Sequence, residues 1–196
     1  MFPPPARLLE VGCGAGELAR ALDAAGYDVL AIDPEAPEGP IFRAVRLEQL
    51  EETGPFDLAV ADRALHHVHP LEPALDKLAA LAPLLVVEEF AWERIDAETQ
   101  AWYEATYTRL ATAGREPEGP SDLDQWRLDH TGLHPSQVIL EGLAERYEQR
   151  HLEPLPYFYR WLELHEVEAD EQAAIEADAI RPIGLRYVGE RRPISL

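Results

Sequence analysis

The 196-residue chain has a single cysteine, Cys13, which excludes an internal disulfide framework. Lysine is almost missing as well, with Lys77 alone against an otherwise arginine-based positive complement. Basic residues number 17 and acidic ones 37, so the formal net charge is -20. A surface of that sign repels phosphate backbones and anionic lipid heads, and both nucleic acid and membrane are disfavoured as partners. Long apolar runs are also lacking: the longest, such as residues 81–87, fall far short of the ~20 needed to span a bilayer. Near Met1 no basic start joins a signal-length apolar stretch, and the expectation is a cytoplasmic, reduced protein. No repeat of fixed period and no low-complexity tract is present.

What is present is an alternation of short apolar runs with amphipathic segments, the pattern of a parallel sheet covered on both faces. Strands are expected over residues 6–11, 27–32, 41–45, 56–61 and 84–87, with helices over 16–25 and 70–81. The stretch "DPEAPEGP" after the second strand is too rich in proline and glycine for a crossover helix. Beyond the fifth strand the pattern predicts a helix over 96–113, a polar loop or lid "GREPEGPSDLD" over 114–124, and a helix over 135–146. A strand over 147–152, a helix over 169–179 and a strand over 184–189 follow, the two strands forming an edge pair beside the fifth. The expected fold is α/β, one doubly wound, seven-stranded, mostly parallel sheet with a helical insertion after the fifth strand, built as a single domain over residues 1–196.

The first strand runs into "LLEVGCGAGELARAL", which places Gly12, Gly14 and Gly16 at alternate positions before a helix. Such a turn brings backbone N–H groups and the positive end of a helix to one point. The dinucleotide fingerprint needs its third glycine three positions after the second, where this chain has Glu17. Glu10 also opposes a diphosphate, since two anions so close repel without an intervening cation, whereas a cationic ligand tolerates it.

Here the chain resembles the class I S-adenosylmethionine-dependent methyltransferases, whose first motif is an acidic residue followed by Gly-x-Gly-x-Gly. The resemblance covers residues 6–90 and implies a Rossmann-like fold, S-adenosylmethionine as cofactor, and a division into a cofactor half (1–90) and a lid and substrate half (91–196). By position it implies that Glu10, Gly12, Gly14 and Gly16 line the methionine end, with Cys13 supplying backbone. Asp33 would hold both ribose hydroxyls, and Pro34 would flank adenine. The adenine amine falls near Arg46 and Leu47; Arg46 has no acceptor to offer it, which points to the Leu47 backbone or to Glu48. Asp62 and Arg63 join the cofactor site through the match of "FDLAVADRALHHV" to the family's fourth strand and its following segment.

Methyl transfer depends mainly on positioning, and a base is needed only when the acceptor arrives protonated. His67, at the C-terminal edge of the fourth strand, is the first candidate base, with His66 expected to pack. His66, His67 and His69 are too close in sequence to converge on a metal. Glu88 and Glu89 alternate at the end of the fifth strand, and Glu89 is a candidate for the substrate side. His130 and His134 are four apart, but Gly132 between them weakens a helical reading and Pro135 starts a new helix just after, so both are read as lid residues reaching the acceptor pocket rather than as metal ligands. Trp92 is expected in the cleft, and the aromatic segment Tyr157, Phe158, Tyr159 and Trp161 in packing. The expectation is transfer of methyl to an oxygen or nitrogen of a small molecule. The alternatives are a noncatalytic cofactor-binding module and, from another class, a nicotinamide-dependent oxidoreductase.

Overall fold

A computed structural model describes residues 3–193; the ends of the expected 1–196 unit lie outside the described residues. Seven strands form one sheet: β1 (Arg7–Val11), β2 (Asp28–Asp33), β3 (Phe42–Ala44), β4 (Leu58–Asp62), β5 (Leu84–Phe90), β6 (Tyr147–Leu155) and β7 (Gly184–Arg191). Their spatial order is 3-2-1-4-5-7-6. The first five are parallel, while β7 runs antiparallel between β5 and β6. The chain reverses direction across the sheet between β1 and β4, so a crevice opens beyond the C-terminal ends of those two strands.

Helix α1 (Glu17–Ala24) links β1 to β2, and α2 (Leu71–Leu81) links β4 to β5. In α2 the apolar residues Leu71, Ala74, Leu75, Leu78 and Leu81 fall on one stripe, and all are buried against the sheet. Helix α5 (Ser136–Arg146) packs beside it, with Gly142 so near Leu75 that a Cβ there would lie 2.6 Å from a leucine methyl. As expected of "DPEAPEGP", β2 and β3 are joined by turns.

Past β5 come α3 (Ala97–Thr112), α4 (Leu123–Asp129) and α5, and past β6 come α6 (Phe158–Trp161) and α7 (Glu168–Glu176). The polar stretch 114–124 is a loop only as far as its last two residues. Asp122 caps α4 by accepting from the Gln125 N–H at 2.9 Å, and Leu123 is fully buried. Asp96 caps α3 in the same way through Thr99, and that hydrogen bonding draws its carboxyl down to about 2. Three apolar clusters result: one of sheet, α2 and α5, one under α1, and an aromatic one formed by Phe90, Tyr103, Phe158 and Leu162 with their neighbours. Among the described residues no helix is long and apolar enough to cross a membrane.

Candidate functional site

A cleft of about 650 Å3 opens at the switch point. One wall is the glycine loop, where Gly12 and Gly14 line the cleft and Gly16, expected to line it too, turns the chain outside the lining; all three have left-handed backbone, with φ of 77° at Gly12, 48° at Gly14 and 80° at Gly16. A Cβ on Gly12 would stand 2.4 Å from the Ala64 methyl, and one on Gly16 would stand 2.5 Å from the Phe42 ring. Gly14 instead faces open space in the cleft, so its missing side chain leaves room for a ligand.

Four of the loop's N–H groups are already engaged. Gly12 and Cys13 both donate to the Ile32 carbonyl, Gly14 donates to the Asp33 carboxylate at 3.1 Å, and Gly16 donates to the Cys13 carbonyl at 2.7 Å. That leaves the start of α1 as the donor end of the turn. Cys13 thus shapes the turn from below instead of lining it, and burial, helped by Glu10 and Asp33, pushes its thiol up to about 11.

Beneath the loop, and outside the cleft lining in which it was expected, Glu10 is 3% exposed and its Oε2 has no hydrogen-bond partner. Burial, reinforced by the charge of Asp62, pushes its carboxyl up to about 7. An acid lifted that far gains from a cation brought close to it, and the ammonium of S-adenosylmethionine fits that need. Asp33 and Pro34 line the cleft at the end of β2, where Asp33 also accepts from the Glu35 N–H at 2.8 Å. Across from them, Arg46, Leu47 and Glu48 supply the wall expected near adenine.

Asp62 and Arg63 sit at the mouth of β4, with Arg63 in left-handed backbone at φ 53°. The sheet register sets Asp62 beside Glu88, two like charges, and Arg160 from α6 answers both, at 3.5 Å and 2.7 Å. Arg186 on β7 closes on Glu88 from the other side.

The four residues expected to carry chemistry are not equivalent. His67 lines the cleft, and burial together with His66 lowers its pKa, keeping it neutral. His130 lines the cleft from the end of α4, stacked on Trp126 with ring centroids 4.5 Å apart. His134 lies behind them, its Nε2 within 3.0 Å of the Val68 carbonyl and its ring against His69. Glu89 is the correction: it is 1% exposed and faces away from solvent toward His66, whose Nδ1 lies 2.6 Å from its Oε2. Alternation along β5 separates it from Glu88, as expected, but what it meets is another side chain. Among the described residues no three His, Cys, Asp or Glu side chains converge to hold a metal ion.

Aromatic residues complete the site. Phe90, Trp126, Tyr157 and Trp161 line the cleft, so Tyr157 and Trp161 of the segment expected to pack also face the ligand space. Trp92, expected there, packs into the aromatic cluster instead. Missed outright was Glu171 on α7, fully buried, which accepts from the N–H groups of Tyr157, Phe158 and Tyr159 at 2.7–3.0 Å and so fixes the aromatic wall. No sequence signal separates it from its acidic neighbours on α7.

A doubly wound sheet in this order, with an acidic residue under a Gly-x-Gly-x-Gly turn and a carboxylate closing β2, defines the class I, Rossmann-like S-adenosylmethionine-dependent methyltransferases. A family model described as "Methyltransferase domain" matches residues 1–153, and the chain belongs to that family. Among curated proteins it is similar to a ubiquinone biosynthesis O-methyltransferase of Rhodopseudomonas palustris (strain BisB5), 28% identical over 88 residues. That match takes in 38% of this chain and only 35% of the relative, so the chain spans about a third of its length there. Of solved structures, an S-adenosylmethionine-dependent methyltransferase from Mesorhizobium loti superposes with a TM-score of 0.61 at 18% identity, over 97% of this chain and 92% of that one. The N-methyltransferase NodS of Bradyrhizobium japonicum WM9, in complex with S-adenosylhomocysteine, gives 0.54 at 17% identity, over 96% and 79%. At such identities these two likenesses concern the fold. The cofactor of the class is S-adenosylmethionine, and the orphaned Glu10 carboxylate and the open face of Gly14 fit it.

Proposed function

We propose that the chain is an S-adenosylmethionine-dependent methyltransferase acting on an oxygen or nitrogen nucleophile of a small molecule. The observation that carries it is the cleft itself: the glycine loop, Asp33 and an aromatic, histidine-lined chamber share one continuous space. When bound, the cofactor supplies a methyl on a sulfonium, which an acceptor's lone pair can take while the C–S electron pair stays on sulfur.

The chain's own residues divide the work. Glu10 answers the ammonium, Asp33 accepts from the ribose hydroxyls, and Leu47 and Glu48 border the adenine. Residues 1–90 hold the cofactor and residues 91–196 form the acceptor side of one domain, with α4 as the lid that brings Trp126 and His130 over the cleft. Glu17, standing where the dinucleotide fingerprint needs its third glycine, weighs against the oxidoreductase alternative.

Two measurements test this. Calorimetry should find S-adenosylhomocysteine bound and NAD not bound. Incubation with methyl-labelled S-adenosylmethionine and a panel of small oxygen and nitrogen acceptors should then transfer label. Retained cofactor affinity with no transfer to any acceptor would favour the noncatalytic module instead.

A further inference from the structure

His66 was expected to pack, yet its surroundings are those of a working imidazole. Glu89 receives three donors: the Leu65 N–H at 2.7 Å, the Phe90 N–H at 3.2 Å and the His66 ring at 2.6 Å. Two backbone N–H groups already donate to this carboxyl, and the His66 nitrogen facing it completes the set as a third donor. That sets the tautomer: Nδ1 bears hydrogen and Nε2 is left with a lone pair. The His66 ring lines the cleft, beside His67 at 4.2 Å between centroids, and its backbone carbonyl is held by the His134 N–H at 3.0 Å. A buried carboxylate behind a neutral imidazole stabilises the imidazolium that forms when a proton arrives, the arrangement that makes histidine an effective base.

The chamber in front of His66 favours one acceptor shape. Phe90 and Tyr157 stack at 4.5 Å with a 7° angle between their planes, and Trp126 stands at 84° to Trp161, 4.9 Å away. Such flat walls meeting at a corner suit a planar ring, which stacks on one face and meets an edge on the other. Of the anions nearby, Glu89 is taken by its three donors and Glu88 faces Arg160, whereas Asp62 lines the cleft with an Oδ1 that has no hydrogen-bond partner. A phenolic oxygen finds the Arg63 guanidinium at the cleft wall, beside Asp62.

We propose that the acceptor is a planar aromatic bearing an ionisable hydroxyl, and that His66, held by Glu89, takes its proton. The O–H bond breaks, the proton goes to Nε2, and the electron pair left on oxygen becomes the nucleophile. His66 is then a catalytic residue and Glu89 a positioning residue behind it. This deepens the methyltransferase reading and rests on it.

The test uses the full chain saturated with S-adenosylhomocysteine, so that no methyl transfer takes place, and 4-nitrophenol as a probe whose colour reports its ionisation. Binding is followed by calorimetry and ionisation by absorbance at one fixed pH below the probe's own pKa. The wild-type chain should bind the probe and raise its ionised fraction by about threefold or more over the free probe. His66→Gln should keep binding within about twofold while returning ionisation to the free value, and Trp126→Ala should weaken binding by roughly tenfold. With Glu89→Gln, the ring nitrogen signals of His66 in NMR should change as Nδ1 loses the acceptor that fixes its tautomer, a change that a merely packed ring would not show. Unchanged ionisation in His66→Gln overturns the base, as does its loss in His67→Gln with His66→Gln unaffected. Tighter binding of cyclohexylamine than of 4-nitrophenol overturns the acceptor class. Failure to bind S-adenosylhomocysteine at the outset sinks the methyltransferase reading itself, a result distinct from the others.

Discussion

The glycine-loop side of the cleft and its aromatic side are held in shape by different atoms. Around Gly12 to Asp33, backbone does the holding: N–H groups of the loop are tied to Ile32, Cys13 and Asp33, and parallel β1 and β2 fix the register. Around Phe90 to Trp161, side chains do it, with rings packed on one another and one buried carboxylate, Glu171, gripping three backbone N–H groups. The first side is therefore built for one ligand whose shape does not vary. On the proposed reading, the second can change its acceptor by changing rings, without touching the loop.

That contrast breaks first at Gly12. Alanine there combines a 2.4 Å contact with left-handed backbone, and S-adenosylhomocysteine affinity should fall by about a hundredfold or more, some 3 kcal/mol, in a calorimetric titration. Gly14→Ala, with open space around it, should leave the melting temperature much closer to wild type than Gly12→Ala does.

Glu171→Gln probes the other side. Gln presents an NH2 where a carboxylate oxygen accepted, which should cost about 2 kcal/mol or more of stability in a denaturant titration. The emission of Trp161 should shift as its segment loosens, while cofactor affinity stays near wild type. Equal damage to both ligand sites would show that the two walls are not independently supported.

Asp33→Ala should weaken S-adenosylhomocysteine by about tenfold, or 1.4 kcal/mol. Unchanged affinity would defeat the ribose assignment.

The smallest effect is a pH dependence. The folded chain holds the Glu10 carboxyl near 7, above its ordinary 4.5, so it binds a proton that the unfolded chain gives up. The stability from this group is fully present below about 4.5 and is lost as pH rises through 7. Asp62 and Cys13 are the titratable groups that share its surroundings. The melting temperature of the cofactor-free chain should thus fall across this window, more steeply than that of Glu10→Gln. S-adenosylhomocysteine affinity should move the opposite way, rising severalfold from pH 6 to 8, because its ammonium prefers the ionised acid.

The first wall was largely legible because its information is local. Glu10, the glycine spacing and Asp33 lie within two dozen residues, and period-two and period-3.6 patterns located the strands and α2 that carry them. Asp122 as a helix cap was readable in principle, but "GREPEGPSDLD" is so rich in turn formers that the loop masked the start of α4. The second wall was not legible. Glu89 was noticed, but its partner was assigned to packing, since only β4 and β5 lying side by side bring His66 within 2.6 Å of it. Likewise an aromatic run reads as core in any sequence, and Tyr157 and Trp161 show that one segment can be core and cleft together.

By itself the amino-acid order determined a doubly wound sheet, the tight turn after β1 and the acid beneath it, because strand alternation, glycine dihedrals and charge act over short stretches of chain. Only the tertiary structure decided which histidine is backed by a carboxylate and which rings face the ligand. Those depend on contacts between residues far apart in the chain, such as Trp161 and Phe90 at 4.9 Å, whose energy appears only once the sheet has brought them together.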